Sequence, residues 1–175
     1  ESKRLLSEVI QWNNFNISND VVSEVISRLN PIFDTIASRD KNDKEKKRKE
    51  LDAPITELKK YDGKIGYMRG GKDAISEKII DLGPFEHDVS DYDLVYLGVP
   101  VWAGKAANPM ISYIKQNEGK FNDVKFFVTA GGSGFEGAIE QMEKYVGKAP
   151  LKTLTLVTKQ VKHDEFDEEL ASFIE

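Results

Sequence analysis

The stretch LVYLGVPVWAG, residues 94–104, decides the fold. Its first six residues are an almost continuous apolar run, which fits a parallel strand buried on both faces and not a half-exposed one. The run then breaks into Pro100-Val101-Trp102-Ala103-Gly104. The same pattern recurs at 124–129 (VKFFVT), which ends in Ala130-Gly131-Gly132-Ser133-Gly134. A third strand is expected over 151–158. The spacing predicts helices over 110–116, where Pro109 suits a first turn, and over 138–146, stopped by Gly147. A closing helix is expected over 164–174, with Phe166, Leu170 and Phe173 on one stripe. Residues 73–80 read as a helical turn or two ahead of Gly83-Pro84, and 55–58 as a short strand after Pro54. Strands that alternate with helices imply an α/β domain with a doubly wound parallel sheet, spanning residues 51–175.

Residues 1–50 read differently. Leu5, Leu6, Val9 and Ile10 fall on one helical face, as do Val21, Val22, Val25, Ile26 and Leu29. Ser18, Asn19 or Asp20 can cap the second of these helices. The run RDKNDKEKKRKE at 39–50 has no apolar residue and therefore no face to bury. The expectation is a helical, polar N-terminal segment, the part of the chain that would carry homo-oligomeric assembly.

Composition narrows the function classes. Of 175 residues 39% are hydrophobic and 10% aromatic, which is globular. A net charge of −5 disfavours nucleic acid or an anionic membrane as partner. The absence of cysteine removes thiol catalysis, disulfides and iron–sulfur ligation. No apolar run nears the ~20 residues of a membrane helix, and the N-terminus lacks the shape of a signal peptide. A cytoplasmic protein is expected.

In a parallel α/β sheet, ligands bind beyond the carboxyl ends of the strands. Both loops named above stand there. Trp102 offers a flat π face, while Ala103 and Gly104 leave neighbouring backbone N–H groups open. Gly131, Gly132 and Gly134 allow close approach to a ring or positive φ. Together they describe a slot for a planar heterocycle with main-chain donors along its rim. His87 and His163 lie in acidic stretches, and Asp88, Asp91 and Asp93 read as solvated loop charges, so neither a catalytic acid–base pair nor a metal site is expected. Ser133 has no His partner nearby in sequence, which disfavours a hydrolase. Tyr67, Met68 and Arg69 stand beside Gly70-Gly71, with core packing expected for Met68 and surface pairing for Arg69.

The stretch YDLVYLGVPVWAGKAANPM resembles the third strand and first flavin loop of the FMN-binding flavodoxin-like proteins. FFVTAGGSG followed by GAIEQME resembles their fourth strand and second flavin loop, and KKYDGKIGYMRGGKDAISEK the segment after their second strand. The resemblance covers about residues 51–175. It implies a flavodoxin-like fold and FMN as cofactor. Pro100, Val101, Trp102, Ala103 and Gly104 would contact the isoalloxazine, and Thr129, Ala130, Gly131, Gly132 and Ser133 would close over its other edge. It also implies electron transfer or flavin-dependent reduction, an oxidoreductase role, with a redox partner protein. The family's first strand and its Ser/Thr-rich phosphate loop have no recognisable counterpart before Leu51. A first strand over 32–37 would be followed by the wholly polar run, which cannot pack on a sheet. A loop near 16–20 leads well into the 21–29 helix, but follows the helical pattern at 5–10. The competing expectation is a cofactor-free scaffold that acts as an interaction module through residues 1–50.

Overall fold

The computed structural model describes residues 5–8 and 63–175, apart from 83, 84 and 86. The expected strand at 55–58 and the polar run at 39–50 lie outside these residues, as do the expected loop near 16–20 and the helix after it. Within them the elements follow in the order β1 (Leu5–Glu8), α1 (Gly63–Ile75), a 3-10 turn (Val89–Asp91), β2 (Leu94–Trp102), β3 (Lys105–Ala106), α2 (Asn108–Gln116), β4 (Asp123–Ala130), α3 (Phe135–Val146), β5 (Thr153–Val157), α4 (Thr158–Lys162) and α5 (Asp167–Ile174).

The sheet runs in the order β1-β2-β4-β5, with every neighbouring pair parallel. β3 folds back antiparallel on the end of β2. The helical reading of Leu5 and Leu6 is corrected here: Leu5–Glu8 is a strand, paired from Leu5↔Leu94 to Glu8↔Leu97. A short apolar run carries no decisive period of its own, and the backbone groups of β2 supply the pairing that selects a strand. The chain thus has a first strand parallel to β2, whose carboxyl end points toward the same edge of the sheet as that of β2.

The residues of β2 and β4 are buried nearly throughout, as their unbroken apolar text predicts. Val124, Phe126 and Val128 face one core with Val95, Leu97 and Val99, covered by Ala74 of α1, Met110, Ile111 and Ile114 of α2, and Ala138, Met142 and Val146 of α3. Phe127 and Tyr96 face the other, with Leu154, Leu156, Val161, Leu170 and Phe173. Each fully buried Leu or Phe of this kind contributes about 1.5–3 kcal/mol. The predicted stripe of Phe166, Leu170 and Phe173 is buried as expected, although α4 separates β5 from α5 and shortens the closing helix.

α1 differs from the expected helix at 73–80, since it ends at Ile75 and begins at Gly63. Glycines at 63, 66, 70 and 71 hide it, because each costs a helix about 1 kcal/mol relative to alanine. Glu77, with φ of 50°, turns the chain out of the helix, and Lys78 N–H closes on Asp73 O at 3.0 Å. Met68 is 75% exposed and is not a core residue, contrary to expectation.

Lys125 is buried in β4, its Nζ donating to the carbonyls of Phe173 (2.8 Å) and Ile174 (3.2 Å). A cation there caps the last carbonyls of α5. It lies over the rings of Tyr96 and Phe173, which meet edge to face at 5.6 Å. Burial pushes the Tyr96 phenol up to about 12. A folded-state value above the unfolded one means stability that is intact below about pH 10 and is lost as pH rises toward 12. Chemical denaturation between pH 9 and 12 is expected to show this decline, and Tyr96→Phe should flatten it. An identical slope in the variant would refute the assignment.

Candidate functional site

Pro100 pairs with Thr129, so the carboxyl ends of β2 and β4 stand side by side and their loops open on the same edge of the sheet. Ala130 pairs in turn with Val157, and Thr158 Oγ1 donates to Ala130 O at 3.1 Å, which ties the end of β5 to the same edge. All ten residues that the sequence singles out therefore fall on one edge.

The first loop is a two-residue hairpin. Trp102 pairs with Lys105 across Ala103 and Gly104, and both turn residues have positive φ, 51° and 78°. Such signs belong to the type I′ turn that suits the twist of a hairpin. Ala103 is one of few non-glycine residues held there, at a cost of about 1–2 kcal/mol. Both turn residues are exposed.

Trp102 is placed differently from the expectation. It is 8% exposed and belongs to the core on the α1 side. A Cβ on Gly70 would stand 3.1 Å from two atoms of its indole, so the glycine of α1 lies flat against the ring. Its indole is covered, and the surface that the first loop offers at the edge is backbone at Ala103 and Gly104.

The second loop presents Gly131, Gly132 and Ser133, all exposed. A Cβ on Gly131, Gly132 or Gly104 would meet no atom within 4 Å, so three glycines border open space. Gly134 and Gly137 do the opposite. Their Cβ positions would lie 3.0 Å from Gly104 Cα and 2.4 Å from Gly104 O, respectively. The two loops touch glycine to glycine, with Gly134 in the left-handed region at φ of 90°. Thr129 lies at the floor of this edge, 1% exposed, and its Oγ1 has no hydrogen-bond partner among the described residues. A flat polar-edged ring fits this set: open glycines for its face and backbone N–H groups for its rim.

A third group ties the turn after α1 to α3. Glu77 accepts hydrogen bonds from Tyr145 Oη and from Lys144 Nζ, the latter at 3.1 Å. The Tyr145 hydrogen bond, then that of Lys144, holds the Glu77 carboxyl below its ordinary value, and Glu77 in turn raises both partners. Asp88 precedes β2 and so lies at the opposite, amino end of the strands. It caps the 3-10 turn through Ser90 N–H and pairs with Lys120 at 3.0 Å. The Ser90 backbone bond foremost lowers its carboxyl to about 2. His163 closes α4 as its C-terminal cap.

The sequence model of the flavodoxin family matches residues 71–173. Among solved structures, the chain is similar to a flavoprotein of Lactobacillus acidophilus in complex with FMN, at 16% identity and a TM-score of 0.52, over 93% of this chain and 98% of that one. The apo form of a flavoprotein from the same organism aligns at 17% identity and 0.51, over 89% and 93%. A Bacteroides uniformis chain, provisionally named a flavoprotein, aligns at 17% and 0.53, over 93% and 97%. At such identities the likeness carries the fold. The curated proteins contain no match to this chain. No helix among the described residues is long and apolar enough to cross a membrane.

Proposed function

The chain belongs to the flavodoxin family, and from that premise we propose that it is an FMN-binding flavoprotein that serves in electron transfer or flavin-dependent reduction. The observation that carries this reading is the pairing of Pro100 with Thr129, which sets two glycine-lined loops against each other at the carboxyl edge of the sheet. FMN, when bound, supplies the redox chemistry. The chain's own part is to hold and tune the ring. Backbone N–H groups at Ala103 and Gly104 would face its polar edge, and Gly131 and Gly132 would lie against its face. Lys105 and Glu136 are the charged side chains that flank the two loops. The strand at Leu5–Glu8 supports the flavin reading over the cofactor-free scaffold, because it provides the first strand from which a phosphate loop would leave. The residues that follow the strand lie outside the described ones.

Titrating purified protein into FMN is expected to quench flavin fluorescence and perturb the visible spectrum, saturating at one FMN per chain. Unquenched FMN at micromolar concentrations would sink the proposal. Gly132→Leu locates the site. The open space above Gly132 and its ordinary φ let the side chain stand without strain, so the melting temperature should stay near that of the parent. The leucine would occupy the ring's place, and the dissociation constant should rise by at least about tenfold, or ~1.4 kcal/mol.

A further inference from the structure

The hairpin that carries Ala103 and Gly104 has an arm of only two residues, Lys105 and Ala106. A two-residue turn closes on a hydrogen-bonded pair, here Trp102 and Lys105, so the next pair, Val101 and Ala106, is the non-bonded kind. The N–H of Ala106 therefore points away from β2. Ala106 is fully buried, so that donor must find another acceptor. It finds Gln141 Oε1 of α3, at 3.0 Å.

Gln141 is itself 3% exposed, and its Nε2 has no hydrogen-bond partner among the described residues. An amide that leaves half its capacity unused is poor material for stability alone. Its place in the helix suggests another use. Gly134, Gly137 and Gln141 stand three and four residues apart, on one face of the helix and its cap. A Cβ on Gly134 would meet Gly104 Cα and Val101, one on Gly137 would meet Gly104 O, and Gln141 accepts the Ala106 N–H. The hairpin lies along this face, glycines letting it approach and the glutamine gripping its far arm.

We propose that Gln141 is a positioning residue for the ring slot: it fixes β3 on α3 and so holds the Ala103–Gly104 turn against the Gly131–Gly134 loop. What the slot takes rests on the flavin reading; what holds the slot does not. A rim held in place before the ring arrives spares binding the cost of ordering it.

The test uses the whole chain without FMN and then with it. In the wild type, the Ala106 amide should exchange with deuterium as slowly as the amides of β4. Gln141→Met keeps the length of the side chain and removes the acceptor. It should speed exchange at Ala106 by at least about tenfold, leave β4 protected, and raise the FMN dissociation constant by about tenfold. Fast exchange at Ala106 in the wild type would overturn the proposal without recourse to any variant. So would a Gln141→Met chain that binds FMN as tightly as its parent while its hairpin exchanges freely, since Gln141 would then be structural only. A wild-type chain that leaves FMN unquenched overturns the flavin reading alone, and the exchange rates still decide whether Gln141 holds the turn.

Discussion

Gly98→Ala is expected to lower the stability of the chain by about 3 kcal/mol or more, the upper end of what overpacking costs. Gly98 and Phe127 are direct partners in the β2–β4 ladder, on the face covered by α5. The Phe127 ring lies across the glycine, so that a Cβ would stand 1.9 Å from Cζ and within 2.5 Å of both Cε atoms. In an open strand the same change would help, because glycine weakens strand or helix interiors by roughly 0.5–1 kcal/mol relative to alanine. Here the clash reverses the sign. The ring cannot swing clear, since it is 1% exposed and packed among Tyr96, Leu154 and Leu156. In urea the midpoint should fall by about 1 M or more, given m-values of roughly 1–3 kcal/mol/M for domains of this size. The double variant Gly98→Ala, Phe127→Leu should lose less than the sum of its parts, because the leucine vacates the space that the new methyl needs. Additive losses would place the strain elsewhere.

This pair also shows what the amino-acid text can and cannot disclose. Strands β2 and β4 are legible because burial on both faces leaves long apolar runs, and Gly98 interrupts such a run without breaking it. The reason for the glycine is not legible, since it depends on a ring 29 residues away in sequence whose position only the register specifies. Leu5–Glu8 fails for the opposite reason: it is too short to show a period, and its identity comes from the neighbour it pairs with. α1 is obscured by the glycines at 70 and 71, and the first of them is what allows Trp102 to lie against it.

The candidate site was legible as two loops, and the structure brings all ten of their residues to one edge of the sheet. Trp102 is the exception in role, because nothing in a single strand-end tryptophan tells a presented ring from one that is folded back on a helix. Gln141 does not stand out as a site residue in the sequence. A signal for it exists in the spacing of Gly134, Gly137 and Gln141, two glycines and a polar residue on one face of an otherwise apolar-faced helix. The N–H group it satisfies becomes visible only once the hairpin register is known.

The same helix face supplies the second large effect. Gly137→Ala is expected to destabilise the chain by about 1–2 kcal/mol and to weaken FMN binding, although alanine in a helix interior normally gains about 1 kcal/mol over glycine. The Cβ would stand 2.4 Å from Gly104 O, an atom of the backbone and not the mobile end of a side chain. Relief requires the hairpin turn and α3 to part, and overpacking of this kind costs about 1–3 kcal/mol before the helix gain is subtracted. Gly71→Ala provides the control, since Gly71 is also helical but its Cβ would meet only the Ala103 methyl at an ordinary 3.6 Å. That variant should raise the melting temperature where Gly137→Ala lowers it. The contrast separates two explanations for the glycines around this edge. If both variants stabilise, the hairpin floats on α3 and the slot takes its shape from the ligand. If they move in opposite directions, α3 and the hairpin form one rigid rim, and a ring that enters meets a slot whose width is already set by Gly137 and Gln141.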